Sequence, residues 1–200
     1  MIENKLDITN SAELVREEER ISKKKAVEMF ESRYLDNLIP GTFQTLSEIH
    51  RILFEDIYEF AGKVRTVNIA KGNFRFAPVI YLAASIESVE KMPQNSFDKI
   101  IEKYVEMNVV HPFREGNGRS MRIWLDHMLK SEIHKVVDWN EVDKSDYLLA
   151  MERSPVKDIE IKFLLKNALT DKIDDKYVYM KGIDNSYNYE GYNAYAAEEL

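Results

Sequence analysis

His111-Pro112-Phe113-Arg114-Glu115-Gly116-Asn117-Gly118-Arg119-Ser120-Met121-Arg122 is the stretch around which this chain of 200 residues is organised. It gathers a histidine, a carboxylate, two glycines, an asparagine and three arginines. The apolar segment Tyr104 to Val110 leads in, and the apolar run Ile123-Trp124-Leu125 to Met128-Leu129 leads out. A glycine-rich turn that opens into a helix is a physical anion site. Its glycines let backbone N–H groups approach a phosphate, and the helix N-terminus adds partial positive charge. Gly116, Asn117 and Gly118 supply that turn. Arg119 and Arg122, three residues apart, share one helix face, and two guanidinium forks beside an anion nest point to a polyphosphate. Glu115 is a hard oxygen ligand suited to Mg²⁺ or another divalent cation shared with phosphates. His111 at the loop entrance can act as a general base near neutral pH, and Phe113 would anchor the loop in the core. These residue types predict metal-assisted transfer from a nucleotide to a nucleophile that His111 deprotonates.

Composition narrows the classes outside this stretch. Hydrophobic residues make up 44% and charged residues 32%, as in ordinary globular domains. The formal charge of -7 argues against nucleic acid as the main partner, because phosphate-backbone binding needs a basic face. Cysteine is absent, which excludes disulfides and thiolate metal sites. The polar start, Met1-Ile2-Glu3-Asn4-Lys5-Leu6-Asp7, lacks the apolar core of a signal peptide. No apolar run approaches the ~20 residues that span a bilayer. The expectation is a single soluble, cytoplasmic domain without a membrane or nucleic-acid partner. A homo-oligomer is compatible with the sequence.

Outward from the central stretch, the periodicity is mostly helical. Ser11 to Tyr34 reads as a helix capped by Ser11, with Leu14, Val15, Ile21, Ala26, Val27 and Phe30 apolar. Its charge run, Arg16 to Arg20 and Lys23 to Lys25, reads as a solvated face with Glu19 and Lys23 at i,i+4. Thr42 to Ala61 reads as a second helix, with His50 partly exposed on it and Gly62 at its end. The period then changes. Val64 to Ile69 and Asn73 to Phe76 alternate, with Ala70-Lys71-Gly72 as the turn of a hairpin. Helices are expected over Ile80 to Met92, Phe97 to Val110, Gly116 to about Lys130, from an Asn140 or Asp143 cap through Met151, and Val156 to Leu169. The tyrosine-rich tail, Ile183 to Leu200, reads as a docked terminal helix. The fold class is therefore mainly α with a short β-hairpin.

The central stretch resembles the signature of Fic-domain proteins, His-x-Phe-x-Asp/Glu-Gly-Asn-Gly-Arg-x-x-Arg. His111, Phe113, Glu115, Gly116, Asn117, Gly118, Arg119 and Arg122 match every specified position. Gly62-Lys63-Val64-Arg65 and the hairpin to Phe76, a segment of about 63–77, look like that family's flap. The resemblance implies a Fic domain over 1–182 and AMP transfer from ATP to a hydroxyl side chain of a target protein. By that analogy His111 deprotonates the hydroxyl, and Glu115 holds Mg²⁺ against the phosphates. The 116–118 turn with Asn117 stabilises the α-phosphate, and Arg119 and Arg122 hold the leaving pyrophosphate. Asn68, Ile69, Ala70, Lys71, Gly72, Asn73 and Phe74 of the flap would hold the target segment by strand pairing. A Fic-type kinase is the alternative chemistry, disfavoured by the intact glycine turn and Glu115. A non-catalytic nucleotide-sensing module would need neither His111 nor the flap.

In the tail, Ser186-Tyr187-Asn188-Tyr189-Glu190-Gly191 resembles the inhibitory motif Ser/Thr-x-x-x-Glu-Gly/Asn of many Fic proteins. It implies that residues 183–200 form a C-terminal inhibitory helix. Glu190 would pair with Arg122 and occupy the guanidinium that the γ-phosphate needs, while Ser186 fixes the helix locally. The same resemblance implies that Glu190 can orient water for AMP removal. Among the tail tyrosines, Tyr187 is the first candidate for self-modification once the helix is released.

Overall fold

The computed structural model describes residues 2–72 and 74–200. The fold is mainly helical with two very short antiparallel ribbons. Its axis is helix α5 (Asn117–Ile133), which packs against α2 (Phe43–Phe54), α4 (Phe97–Val110) and α8 (Lys176–Tyr189). Trp124, Leu125, Met128 and Leu129 of α5 have no solvent exposure, as their central apolar run predicts. Helix α4 follows its predicted bounds, because Ser96 accepts the Lys99 N–H at its start and His111 leaves helical geometry at its end.

Helix α1 (Ser11–Glu31) differs from the prediction in three ways. The cap is Asn10 rather than Ser11, its Oδ1 accepting the N–H groups of Ala12 and Glu13. The helix stops at Glu31 rather than Tyr34. The charge run is not a solvated face, because Glu18, Glu19 and Lys23 are all buried. Lys23 pairs with Glu19 and with Asp184 of α8, both at 3.0 Å, and donates to the Tyr195 carbonyl at 2.6 Å. Glu19 in turn accepts the N–H groups of Ala194 and Tyr195. The tail returns across this face of α1, so charges that would be solvated on an isolated helix become partners for backbone.

Helix α2, capped by Thr42, ends at Phe54 rather than Ala61. Turns then fold Ile57 and Tyr58 into the core, and Gly62 donates its N–H to His50. The hairpin is shorter and later than expected. Strands β1 (Ala70–Lys71) and β2 (Phe74–Arg75) pair Ala70 with Arg75 and Lys71 with Phe74. Residues 64–69 form no strand, because Arg65 turns inward and is buried. Of the predicted hairpin residues, Asn73 lies outside the described residues.

A turn at Val79–Tyr81 precedes α3, which covers Leu82–Glu90 rather than 80–92. The ribbon β3 (Val136–Val137) with β4 (Leu169–Thr170) has no sequence signature, being two residues a side. Asp143 caps α6 (Lys144–Arg153). Helix α7 spans Ile159–Asn167, shorter than the predicted 156–169. The terminal helix is also corrected: α8 runs over residues 176–189, starting from an Asp175 cap, and does not extend over 183–200. No helix among the described residues is long and apolar enough to cross a membrane.

Candidate active site

The loop between α4 and α5 is held from beneath. Phe113 has no exposure, and its ring stacks on His50 at 3.9 Å and on Phe43 at 6.0 Å. His50 is not the partly exposed helix histidine that its position suggests. It is wholly buried, accepts the Gly62 N–H at Nδ1 (2.9 Å) and donates from Nε2 to the Glu115 carbonyl (2.8 Å). Asn117 closes the loop on itself, since its Oδ1 accepts the Phe113 N–H at 2.9 Å and its Nδ2 donates to the Phe113 carbonyl at 2.8 Å. The Asn117 side chain is therefore spent on the loop, and only its backbone N–H is left for a ligand.

Helix α5 begins without a side-chain cap. Gly116 sits at φ 77°, and a Cβ there would meet the Phe54 ring at 2.4 Å, so only glycine fits the entry to this helix. The first-turn N–H groups lack intrahelical acceptors, which leaves a positive helix end of the kind that takes phosphates. Glu115 Oε1 accepts the Gly116 N–H at 3.0 Å and pairs with Arg119 at 3.3 Å. Its side chain is 43% exposed. No group of three or more His, Cys, Asp or Glu residues among those described could hold a metal by itself. One exposed carboxylate beside a phosphate nest fits Mg²⁺, which commonly takes one or two carboxylates and completes its shell with substrate phosphates and water.

His111 ends α4 in the left-handed region at φ 49°. Its Nδ1 lies 3.3 Å from the Asn108 carbonyl, a contact only a protonated nitrogen can make, so Nε2 carries the lone pair. Burial pushes the pKa down to about 4, against the Asn108 carbonyl and the Glu190 charge, which pull it up. The imidazole is thus neutral at physiological pH, the form a general base requires. Phe76, just past the hairpin, stacks on the ring at 3.7 Å.

The two arginines of the motif are separated rather than brought together. Arg119 is fully buried, and its Nη1 pairs with Glu18 at 2.5 Å. Glu18 is completed by the hydroxyls of Tyr58 and Tyr192. The Arg119 guanidinium also lies 4.8 Å from the centre of the Phe54 ring and 4.5 Å from that of Tyr192. In this arrangement Arg119 is an internal tie between α1, α5 and the tail, not the pyrophosphate ligand the motif implies. Its partner Glu18 was hidden in the charge run, where nothing distinguishes it from its neighbours.

Arg122 faces the other way, onto α8. Its Nε donates to Ser186 Oγ at 2.6 Å, and Nη2 donates to the Ser186 carbonyl at 2.8 Å and to Glu190 Oε1 at 3.0 Å. Ser186 therefore holds the arginine itself rather than only its own helix. Tyr147, which the sequence did not single out, lies 3.4 Å from Arg122 Nη1. Burial opposes ionisation of Glu190, but the charge and hydrogen bond of Arg122, with Arg119 and Lys71 behind them, hold its carboxyl below the ordinary value. Glu190 is the C-cap of α8, and Gly191 follows at φ 93°. The Gly191 N–H bonds the Asn188 carbonyl and the Tyr192 N–H the Tyr187 carbonyl, the paired bonds of a Schellman ending. This ending aims Glu190 at the start of α5, where a Cβ on Gly118 would stand 2.3 Å from Oε1.

The hairpin borders the same place. Lys71 Nζ is 4.0 Å from Glu190 Oε2, so both ends of the carboxylate are met by cations. Ala70, Lys71 and Gly72 are exposed, Ile69 and Phe74 half-buried, and Asn68 holds the hairpin base through the Val79 N–H. Tyr187 is fully buried, and its hydroxyl has no hydrogen-bond partner among the described residues.

The profile of the Fic/DOC family matches residues 40–129. The probable protein adenylyltransferase y4lH of Sinorhizobium fredii is 32% identical over 140 residues, an alignment covering 63% of this chain and 72% of that protein. The chain belongs to the Fic/DOC family. Protein adenylyltransferase VbhT of Bartonella schoenbuchensis is 35% identical over 123 residues, covering 54% of this chain but only 25% of that relative's length. Among solved structures, the BepC effector of Bartonella tribocorum with bound AMPPNP superposes with a TM-score of 0.68 at 18% identity, covering 85% of this chain and 92% of that one. The mainly helical fold with its small hairpin is thus the Fic fold.

Proposed function

We propose that this protein is an adenylyltransferase that moves AMP from ATP to a hydroxyl side chain of a target protein, and that Glu190 restrains it at rest. The carrying observation is the Glu190 carboxylate itself, seated over Gly118 and bonded to Arg122 at the bare N-terminus of α5. An anion already occupies the place the motif is built to give one. Relatives named adenylyltransferases and a nucleotide-bound Fic structure support ATP as co-substrate.

In this proposal the N–H groups of Asn117 and Gly118 receive phosphate oxygens, and Arg122 receives the distal phosphate once Glu190 has withdrawn. Glu115 would hold a divalent cation, which offsets charge on the phosphates when bound. His111 Nε2 accepts the proton of the target hydroxyl while that oxygen attacks the α-phosphorus. Phosphate charge beside the imidazole raises its basicity from the resting value. The work is positioning and electrostatic stabilisation. The exposed strands around Ala70 and Lys71 are suited to pairing with an extended target segment.

The Glu190 charge favours the protonated form of His111. The pair could therefore run the reverse reaction, with Glu190 orienting water and His111 returning the proton to the leaving hydroxyl. Labelled-ATP transfer by wild type, Glu190→Gly and His111→Ala tests the forward activity. AMP released from a pre-modified target by wild type, and not by Glu190→Gly, tests the reverse. No incorporation by Glu190→Gly would remove the proposed activity.

A further inference from the structure

Arg65 is 4% exposed and has no carboxylate partner among the described residues. Its guanidinium is spent on four main-chain carbonyls. Nε donates to His111 at 2.8 Å, Nη1 to Val67 at 2.7 Å, and Nη2 to Ala77 at 2.5 Å and to Val110 at 3.2 Å. Its own N–H donates to the Pro112 carbonyl at 2.8 Å, and the Ala77 N–H to the Val109 carbonyl at 3.0 Å. One side chain thus gathers the end of α4 and the two stems of the hairpin. The residue it grips most directly, His111, has the left-handed backbone that a non-glycine residue rarely adopts. Phe76, one residue before the Ala77 carbonyl that Arg65 holds, lies on the His111 ring.

We propose that Arg65 is a positioning residue for His111: its fork fixes the histidine's main chain and, through Ala77, brings the Phe76 ring onto the imidazole, so that base and target-holding hairpin keep one geometry. This rests on the transfer function above. Only a planar guanidinium reaches carbonyls in these several directions, and lysine would keep the charge but lose the fork. The Arg65 charge also works against protonation of the imidazole.

The test uses the full chain carrying Glu190→Gly as parent, with Arg65→Lys and Phe76→Leu added separately. With ¹³C-histidine labelling the protein's four histidines give four ring signals. Arg65→Lys is expected to move the His111 signal, leave those of His50, His127 and His134 in place, lower kcat about 100-fold, and keep the ATP Kd within about twofold of the parent. Phe76→Leu is expected to move the same single signal. An unmoved His111 signal in Arg65→Lys, or kcat within about threefold of the parent, overturns the proposal. Collapse of all four signals in Arg65→Lys also overturns it, by making Arg65 a residue of the fold alone. If the parent itself incorporates no AMP, the transfer function fails, while the ring signals still decide whether Arg65 positions His111.

Discussion

The carboxylate of Glu190 and the α-carbon of Gly118 occupy adjoining space so closely that a methyl group on residue 118 would stand 2.3 Å from Oε1. A side chain from the C-terminal end of α8 therefore closes the N-terminal end of α5. Gly118→Ala is expected to fold normally, because the clashing atom is the free end of a flexible side chain. It should displace Glu190 and speed hydrogen exchange over the last turn of α8. It should not reach the transfer rate of Glu190→Gly, since the methyl remains where a phosphate must sit. Exchange rates that match wild type would show that Glu190 accommodates the methyl in place.

Glu190→Gly should raise labelled-AMP transfer at least tenfold. A charge-assisted hydrogen bond contributes about 1.5–3 kcal/mol, and each 1.4 kcal/mol is a factor of about ten. Adding His111→Ala should abolish the gain. Equal rates in wild type and Glu190→Gly would mean that Arg122 is not contested.

Acid should loosen the same contact. Glu190 titrates below its ordinary value of 4.5 in the folded protein. Its contribution is therefore fully present above 4.5 and lost as pH falls through the lower folded value. Other carboxylates titrate in this range, so the quantity to measure is the stability difference between wild type and Glu190→Gln. That difference should be constant near neutral pH and shrink in acid. A difference that grows on acidification would contradict the pairing.

Glu18→Ala should destabilise the protein by about 3–5 kcal/mol in urea unfolding, the usual cost of stranding one member of a buried ion pair. The stranded group is Arg119, whose side chain is 1% exposed. If Arg119 were instead a nucleotide ligand with freedom to turn outward, the loss would be well below that range.

The central helices and the motif were legible because both are local. The apolar spacing of Ile100, Ile101, Tyr104 and Val105 and the run from Trp124 to Leu129 depend only on neighbours along the chain, and each lies in the core. Fates decided by distant segments were not legible. Glu18, Glu19 and Lys23 match the composition of a wet face, and only the returning tail makes them internal. Arg119 and Arg122 share a helix face by spacing, yet one is turned to α1 and the other to α8 by carboxylates that lie 101 and 68 residues away. Arg65 falls in the stretch that resembles the flap, but nothing in the sequence marks it as buried, because its partners are carbonyls, which every residue has.

Self-modification of Tyr187 should be absent from wild type, by intact mass and peptide mapping after ATP. The buried hydroxyl cannot reach a base while α8 is docked. A modified Tyr187 in wild type would mean that α8 leaves its seat and takes Glu190 off Arg122.

The return of the tail over α1 bears on how such a restraint could let go. Beyond Gly191 the chain is fastened to Glu19 by the N–H groups of Ala194 and Tyr195, and Lys23 grips both Asp184 and the Tyr195 carbonyl. Glu190 lies between two anchored segments. If Glu190 withdraws together with its backbone, the event is the melting of a small cooperative unit, with the large activation enthalpy that unfolding carries. Wild-type activity should accordingly climb with temperature far more steeply than that of Glu190→Gly.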